Sequence, residues 1–162
     1  MNATTHHEPP LSPEEAQRLA QWCADAMYAR DHASQGLGIH VVKVAPGFAA
    51  LSMIVRADML NGHAICHGGF IFTLSDSAFA YACNSHNLTT VAAGCAIEYL
   101  APAREGDMLT ATGREKVLAG RSGVYDIDVT NQHGATIAVF RGKSARIKGH
   151  VIAGPHAAGH AE

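Results

Sequence analysis

The chain has 162 residues and a formal net charge of −2, with basic and acidic residues mixed along its length. That length allows one well-formed core rather than two, and the charge balance offers no footprint for nucleic acid. No signal peptide is visible and every apolar run is interrupted before it reaches spanning length, so a cytoplasmic protein without a membrane segment is expected.

Residues 1–12 read as a flexible leader, with His6, His7 and Glu8 ahead of Pro9 and Pro10. A single domain is expected over 13–148. Ser12, Pro13, Glu14 and Glu15 form a helix start: Ser12 caps, proline takes the first position and Glu15 closes a capping box. The helix is predicted to run to about Arg30 or Ala33, with Leu19, Cys23, Ala26 and Met27 facing inward and Gly36 and Gly38 ending it. Leu37–Val44 and Phe48–Ala57 read as a hairpin around Pro46-Gly47, the second strand alternating through Leu51, Met53 and Val55.

A polar, glycine-punctuated turn from Leu60 then runs into an apolar segment ending near Asn84. From Gly69 to Cys83 it is too long for a typical strand, has no proline and is rich in Ala, Leu and Phe, which predicts a buried helix. His67, Gly68 and Gly69 fall in its first turn, so unpaired N–H groups would face out of the helix start with little side chain over them. Such a start suits a developing negative charge.

Beyond it, Thr90–Leu100, Asp107–Leu118, Ser122–Thr130 and Ala135–Lys148 are four strand candidates with separators short enough for an antiparallel meander. Tyr125, Ile127 and Val129 alternate with Asp126, Asp128 and Thr130, as on a sheet with one covered face. The tail 149–162, rich in Gly, Ala and His, is expected to be disordered. One antiparallel sheet curled around the apolar helix, an α+β architecture, buries that helix on most sides. Cys23, Cys66, Cys83 and Cys95 are widely spaced, and three lie in apolar contexts, which suits free thiols in a reducing compartment better than a disulfide scaffold.

Asp76 is the residue that needs explaining, because an ionised carboxylate within an apolar helix is costly unless it is paired or used. It lies eight residues beyond Gly68, roughly 12 Å along the axis at about 1.5 Å per residue. A carboxylate activating water beside a carbonyl held at the helix start must come within about 3 Å of that water. One chain therefore does not easily supply both groups to one centre, whereas an antiparallel second copy across a two-fold axis does. A homodimer with shared sites is expected.

His67-Gly68-Gly69 followed by Phe72, Leu74, Asp76, Ala78, Ala82 and Asn84 resembles the signature of the hotdog-fold acyl-coenzyme A thioesterases. The fuller run from Asn61-Gly62-His63 to Ala80-Tyr81-Ala82-Cys83-Asn84-Ser85 is similar to the branch acting in phenylacetic acid degradation, and Val124–Ile127 and Phe140–Ser144 extend the likeness over roughly residues 20–149. HGG alone is unspecific; the whole run with its spacing is not. The resemblance implies a hotdog fold, edge-to-edge dimers often paired into tetramers, and hydrolysis of acyl-coenzyme A, with phenylacetyl or hydroxyphenylacetyl thioesters as substrates. It implies that the Gly68 N–H polarises the thioester carbonyl and that Asp76 of the partner subunit acts on water or on the carbonyl. Asn61 corresponds to the residue placing the water, His67 to the histidine beside the oxyanion position, and Ser77 to a small hydroxyl residue.

The residues leave some roles open. Asp76 can act as general base or form an acyl anhydride. Arg141, Lys143, Arg146 and Lys148 are either a solvated strand face or contacts, with Gly69, to coenzyme A, the phosphates falling to the basic groups. Leu60, Phe72 and Tyr81 are candidate lining for an acyl pocket. His63, Cys66 and His67 are crowded in one H-x-x-C-H without a further ligand set, so no metal or other cofactor is expected. A hydratase or dehydratase on the same fold, or a non-catalytic acyl-coenzyme A sensor, are the competing readings.

Overall fold

The structure is a computed structural model and describes residues 10–153. Most of the expected leader, and the tail beyond residue 153, lie outside the described residues. Helix α1 spans Pro13–Tyr28, and its capping box is complete: Ser12 Oγ accepts the Glu15 N–H while the Glu15 carboxylate accepts the Ser12 N–H. Leu19, Ala20, Cys23 and Ala24 are its buried residues, while Ala26 and Met27 are only half-buried. The helix does not extend to Ala33. The Asp31 carboxylate caps Ser34 and starts a second, six-residue helix, α2 (His32–Leu37). Gly36 lies inside α2, and Gly38, left-handed at φ +68°, ends it.

Strands β1 (His40–Ala45) and β2 (Phe48–Ile54) form the expected hairpin. Helix α3 runs Gly68–Asn84, followed by β3 (Thr90–Tyr99), β4 (Met108–Ala119), β5 (Ser122–Thr130) and β6 (Thr136–Arg146). The six strands make one antiparallel sheet in the order β1-β2-β4-β5-β6-β3. This corrects the four-strand meander. Only β4, β5 and β6 follow one another; β3 pairs with β6 at the far edge, and β2 lies beside β4. The connection between β3 and β4 makes the difference, because its backbone is pinned along the way. Leu100 donates to the Ile137 carbonyl, the Ala103 carbonyl accepts the Cys66 N–H, and Gly106 donates to the Val55 carbonyl. It therefore passes the approach to α3 and re-enters the sheet next to β2.

The sheet bends at register shifts in β1, β3 and β4 and between β5 and β6. Ile71, Leu74, Ala78, Phe79 and Ala82 of α3 are buried with Leu51, Met53, Leu109, Tyr125, Ile127 and Phe140 from the sheet. Each large apolar side chain removed from water in this way is worth about 1.5–3 kcal/mol. Gly142 gives the helix room, since a Cβ there would come within 2.8 Å of the Phe79 ring. Ser75, fully buried in α3, donates its hydroxyl to the Ile71 carbonyl. This is the α+β hotdog architecture. Among the described residues no helix is long and apolar enough to cross a membrane, and all four cysteines are free thiols.

The first residues of the segment expected to be disordered are tied down. Asn87 exchanges hydrogen bonds with the backbone of Ile152, and the Gly149 carbonyl accepts the Thr89 N–H. Asn87, left-handed at φ +61°, turns its amide toward them.

Candidate active site

Residues 60–67 lead into α3. Leu60 and Cys66 form an isolated bridge, and Asn61 Oδ1 accepts the N–H groups of His63 (2.9 Å) and Ile65 (3.5 Å). The loop so closed holds Ala64 at φ +56°, a left-handed conformation for a non-glycine residue of the kind that clusters at functional sites. The Asn61 amide nitrogen has no partner among the described residues and remains a donor.

His67 is the N-cap of α3. Its Nδ1 accepts the Gly69 N–H at 3.0 Å, so the neutral ring carries its proton on Nε2. The Gly69 donor is thereby used, whereas the Gly68 N–H has no partner among the described residues. Tyr99 closes over this point from the end of β3. Its hydroxyl donates to the Gly68 carbonyl at 2.9 Å, and a Cβ on Gly68 would lie 2.9 Å from its ring. Glycine here admits the tyrosine and leaves an N–H at a helix start, where aligned peptide dipoles favour negative charge.

Asp76 lies two turns further along α3 and is half-buried. Burial pushes its carboxyl above the usual range, and the Cys95 thiol on β3, 3.9 Å from Oδ1, partly opposes the shift. Ser77 points elsewhere, its Oγ lying 3.3 Å from Ser34 Oγ on α2. Tyr81 is buried, with its hydroxyl 3.3 Å from an Asp31 oxygen. Phe72 is half-buried and meets Phe140 edge-on at 5.5 Å; Leu60 is half-buried in the loop.

The structure thus brings Asn61, His67, Gly68 and Gly69 together at the helix start and holds Asp76 apart, beside β3. The basic residues of β6 lie on the strand that pairs with β3. Arg141 forks onto the Asp126 carboxylate at 2.6 and 2.9 Å, Lys143 is exposed on the same strand, and the Arg146 carbonyl accepts from the Arg121 guanidinium. Among the described residues no three His, Cys, Asp or Glu side chains are grouped to hold a metal ion. A groove of about 420 Å³ between α1 and β1, and a cavity of about 50 Å³ beyond the far end of α3, include neither Gly68 nor Asp76 in their walls.

Sequence reasoning missed Tyr99, Cys95, Asp31 and Ser34. Tyr99 and Cys95 read only as strand residues, and no spacing links Asp31 or Ser34 to a helix that begins more than thirty positions later. The bare edge at β3 was also not legible. From Val91 to Tyr99 every residue except Ile97 is exposed, and Ala92, Ala93, Gly94 and Ala96 keep the strand's surface shallow.

The profile of the Thioesterase superfamily matches residues 63–138, from the turn before α3 into β6. Acyl-coenzyme A thioesterase PaaI of Escherichia coli K12 is 50% identical over 128 residues, covering 79% of this chain and 91% of that protein. The solved structure of the E. coli PaaI protein from the phenylacetic acid degradation operon superposes with a TM-score of 0.82 at 48% identity, over 83% of this chain and 98% of that one. A Streptococcus mutans protein solved with acetyl CoA bound superposes with a TM-score of 0.67 at 27% identity, over 69% and 90% of the two chains. The chain belongs to the thioesterase superfamily of hotdog-fold hydrolases. Within it, the chain is closely related to the PaaI-type enzymes.

Proposed function

We propose that the protein hydrolyses acyl-coenzyme A thioesters, with phenylacetyl or hydroxyphenylacetyl groups as the acyl part, at sites shared between two subunits in the cytoplasm. The observation that carries this reading is the division of labour along α3. An N–H without a partner among the described residues sits at the helix start, and a carboxylate sits about 12 Å down the same axis. Strand β3, beside that carboxylate, is a ten-residue sheet edge with one side unpaired. An exposed edge of small, mostly apolar residues is a template for strand addition. Pairing β3 with β3 of a second copy brings Asp76 of the partner subunit toward the Gly68 end, and two such dimers form the tetramer.

The thioester carbonyl oxygen receives the Gly68 N–H, a donor of a type worth roughly 3 kcal/mol in comparable acyl-transfer sites. Asp76 of the partner subunit takes a proton from water, the water oxygen bonds to the carbonyl carbon, and the C–S bond breaks. The departing thiolate then takes up the proton, giving free acid and coenzyme A. Burial makes Asp76 a stronger base than an exposed carboxylate, which favours water activation over direct attack. Asn61, with a free amide N–H, places the water, and His67 orients the helix start. Leu60, Phe72 and Tyr81 shape the acyl side, while Gly69, Arg141, Lys143 and Arg146 serve coenzyme A. The test is release of free thiol from a panel of aryl and straight-chain acyl-coenzyme A esters by wild type and Asp76→Asn. Turnover of an aryl ester that collapses in the variant supports the reading; an unaffected variant overturns the mechanism, and no turnover on any ester overturns the substrate class.

A further inference from the structure

Strand β3 runs level with the part of α3 that carries the candidate site. Tyr99 donates to the Gly68 carbonyl, and Cys95 approaches Asp76 Oδ1 at 3.9 Å. The four-residue step along the strand covers about 13 Å, and the eight-residue step from Gly68 to Asp76 along the helix covers about 12 Å. One strand residue therefore stands over each group, with Ile97, half-buried against the core, midway between them. The backbone alternates as well. Leu100 donates to the Ile137 carbonyl of β6, and Glu98 and Ala96 face the same way, because an antiparallel ladder bonds every second residue. The Arg146 N–H, bonded to the Arg121 carbonyl beside β5, fixes the same parity along β6. The N–H and C=O groups of Cys95, Ile97 and Tyr99 consequently point out of the sheet edge.

We propose that a second copy pairs antiparallel with β3 about a two-fold axis at Ile97, setting Tyr99 opposite the partner's Cys95 and Ala96 opposite the partner's Glu98. The proposal rests on the shared-site reading above and fixes the register that reading leaves open. The outward backbone groups of Cys95, Ile97 and Tyr99 then face the same three residues of the second copy, so every donor at the seam meets an acceptor. Tyr99 marks Gly68, and the partner's Cys95 marks the partner's Asp76, so the helix-start N–H and the carboxylate come level across the seam. A slip of one residue mismatches the backbone and turns side chains to the wrong face. A slip of two moves the carboxylate about 6.6 Å along the strand, more than twice the length of the water–carboxylate hydrogen bond that must be kept. In one direction that slip also sets Glu98 against the partner's Glu98, a like-charge pair. In the other it sets Tyr99 against the partner's Ala93, where the register shift between Ala92 and Gly94 interrupts the strand.

Disulfide trapping reads the register directly. On the outward face, Ala96 and the partner's Glu98 form a pair without ladder bonds, with Cα atoms about 4.5 Å apart, where a disulfide closes readily. Diagonal neighbours, at about 7–8 Å, do not close one. The test is made in a Cys95→Ala background, which removes the adjacent exposed thiol, and both new positions are exposed, so the fold tolerates the changes. Co-expressed Ala96→Cys and Glu98→Cys subunits are expected to shift to the dimer mass on oxidation, read by non-reducing gel electrophoresis. Either variant alone is expected to stay at the monomer mass. A covalent dimer from Ala96→Cys alone, or from Glu98→Cys alone, would overturn this register in favour of a two-residue slip while leaving pairing through β3 intact. No covalent dimer from either variant or from the mixture would overturn pairing through β3 itself. Trapping reads geometry and not turnover, so an active Asp76→Asn beside a trapped mixture sinks the catalytic reading and keeps the register.

Discussion

At its C-terminal end α3 is fastened by side chains on four consecutive residues, whereas at its N-terminal end the backbone is left partly unpaired. Asn84 donates to the Ala80 and Thr90 carbonyls and accepts the Thr90 N–H. Ser85 bonds the Ala82 carbonyl and receives the Gly47 N–H; His86 meets Glu115 at 2.9 Å; Asn87 holds Ile152. At the other end His67 satisfies Gly69 alone, the Gly68 N–H has no partner among the described residues, and Tyr99, half-exposed, is the cover. A helix clamped at one end can carry an unfinished start at the other without fraying. Side-chain anchoring at one end and an open backbone donor at the other are thereby separated along one element, and the proposed chemistry falls at the open end.

The sharpest test of that separation is Asp76→Asn, which is expected to reduce thiol release by at least about 100-fold, as for loss of a general base. Its melting temperature should stay level or rise. The folded carboxyl titrates above its unfolded value, so ionised Asp76 detracts from stability above the unfolded pKa, and the neutral amide removes that penalty. A melting temperature that fell with activity would break the comparison.

Asn84→Ala is the mirror experiment. It removes three hydrogen bonds to part-buried backbone groups, and a loss of about 1–3 kcal/mol in chemical denaturation is expected, with the rate per folded enzyme unchanged. A change in kcat at low temperature would show that the clamped end communicates with the open one. Gly68→Ala should fall between these two in character. The new methyl displaces the Tyr99 ring and intrudes on the free N–H, lowering kcat by about tenfold with a small change in stability, measured by steady-state kinetics alongside thermal melts. His86→Ala, which breaks a partly exposed pair, should cost about 1 kcal/mol or less and leave the rate alone.

The smallest effect is expected from Cys95→Ala, read in the pH profile of kcat/KM. On the proposed mechanism Asp76 works ionised, so the rate is expected to rise with pH through its pKa, which burial holds above the ordinary carboxylate range. The Cys95 thiol moderates that rise, and its removal should move the acidic limb further upward. A limb that does not move means the thiol is only a neighbour.

Local chemistry made much of this protein legible from its residues. The capping box at Ser12–Glu15, the apolar run of α3, the turn at Pro46-Gly47 and the alternation of β5 each depend on neighbours within a few positions, and each formed close to where it was expected. The glycine pair and lone carboxylate of α3 were visible for the same reason. Strand order was not, because it depends on where a pinned connection re-enters the sheet. Nor were Tyr99 over Gly68, Cys95 beside Asp76, or Ser77 beside Ser34, since each joins residues at least 19 positions apart. Their chemistry lies in an approach of a few ångströms that no periodicity encodes, and only the curling of the sheet around α3 brings it about.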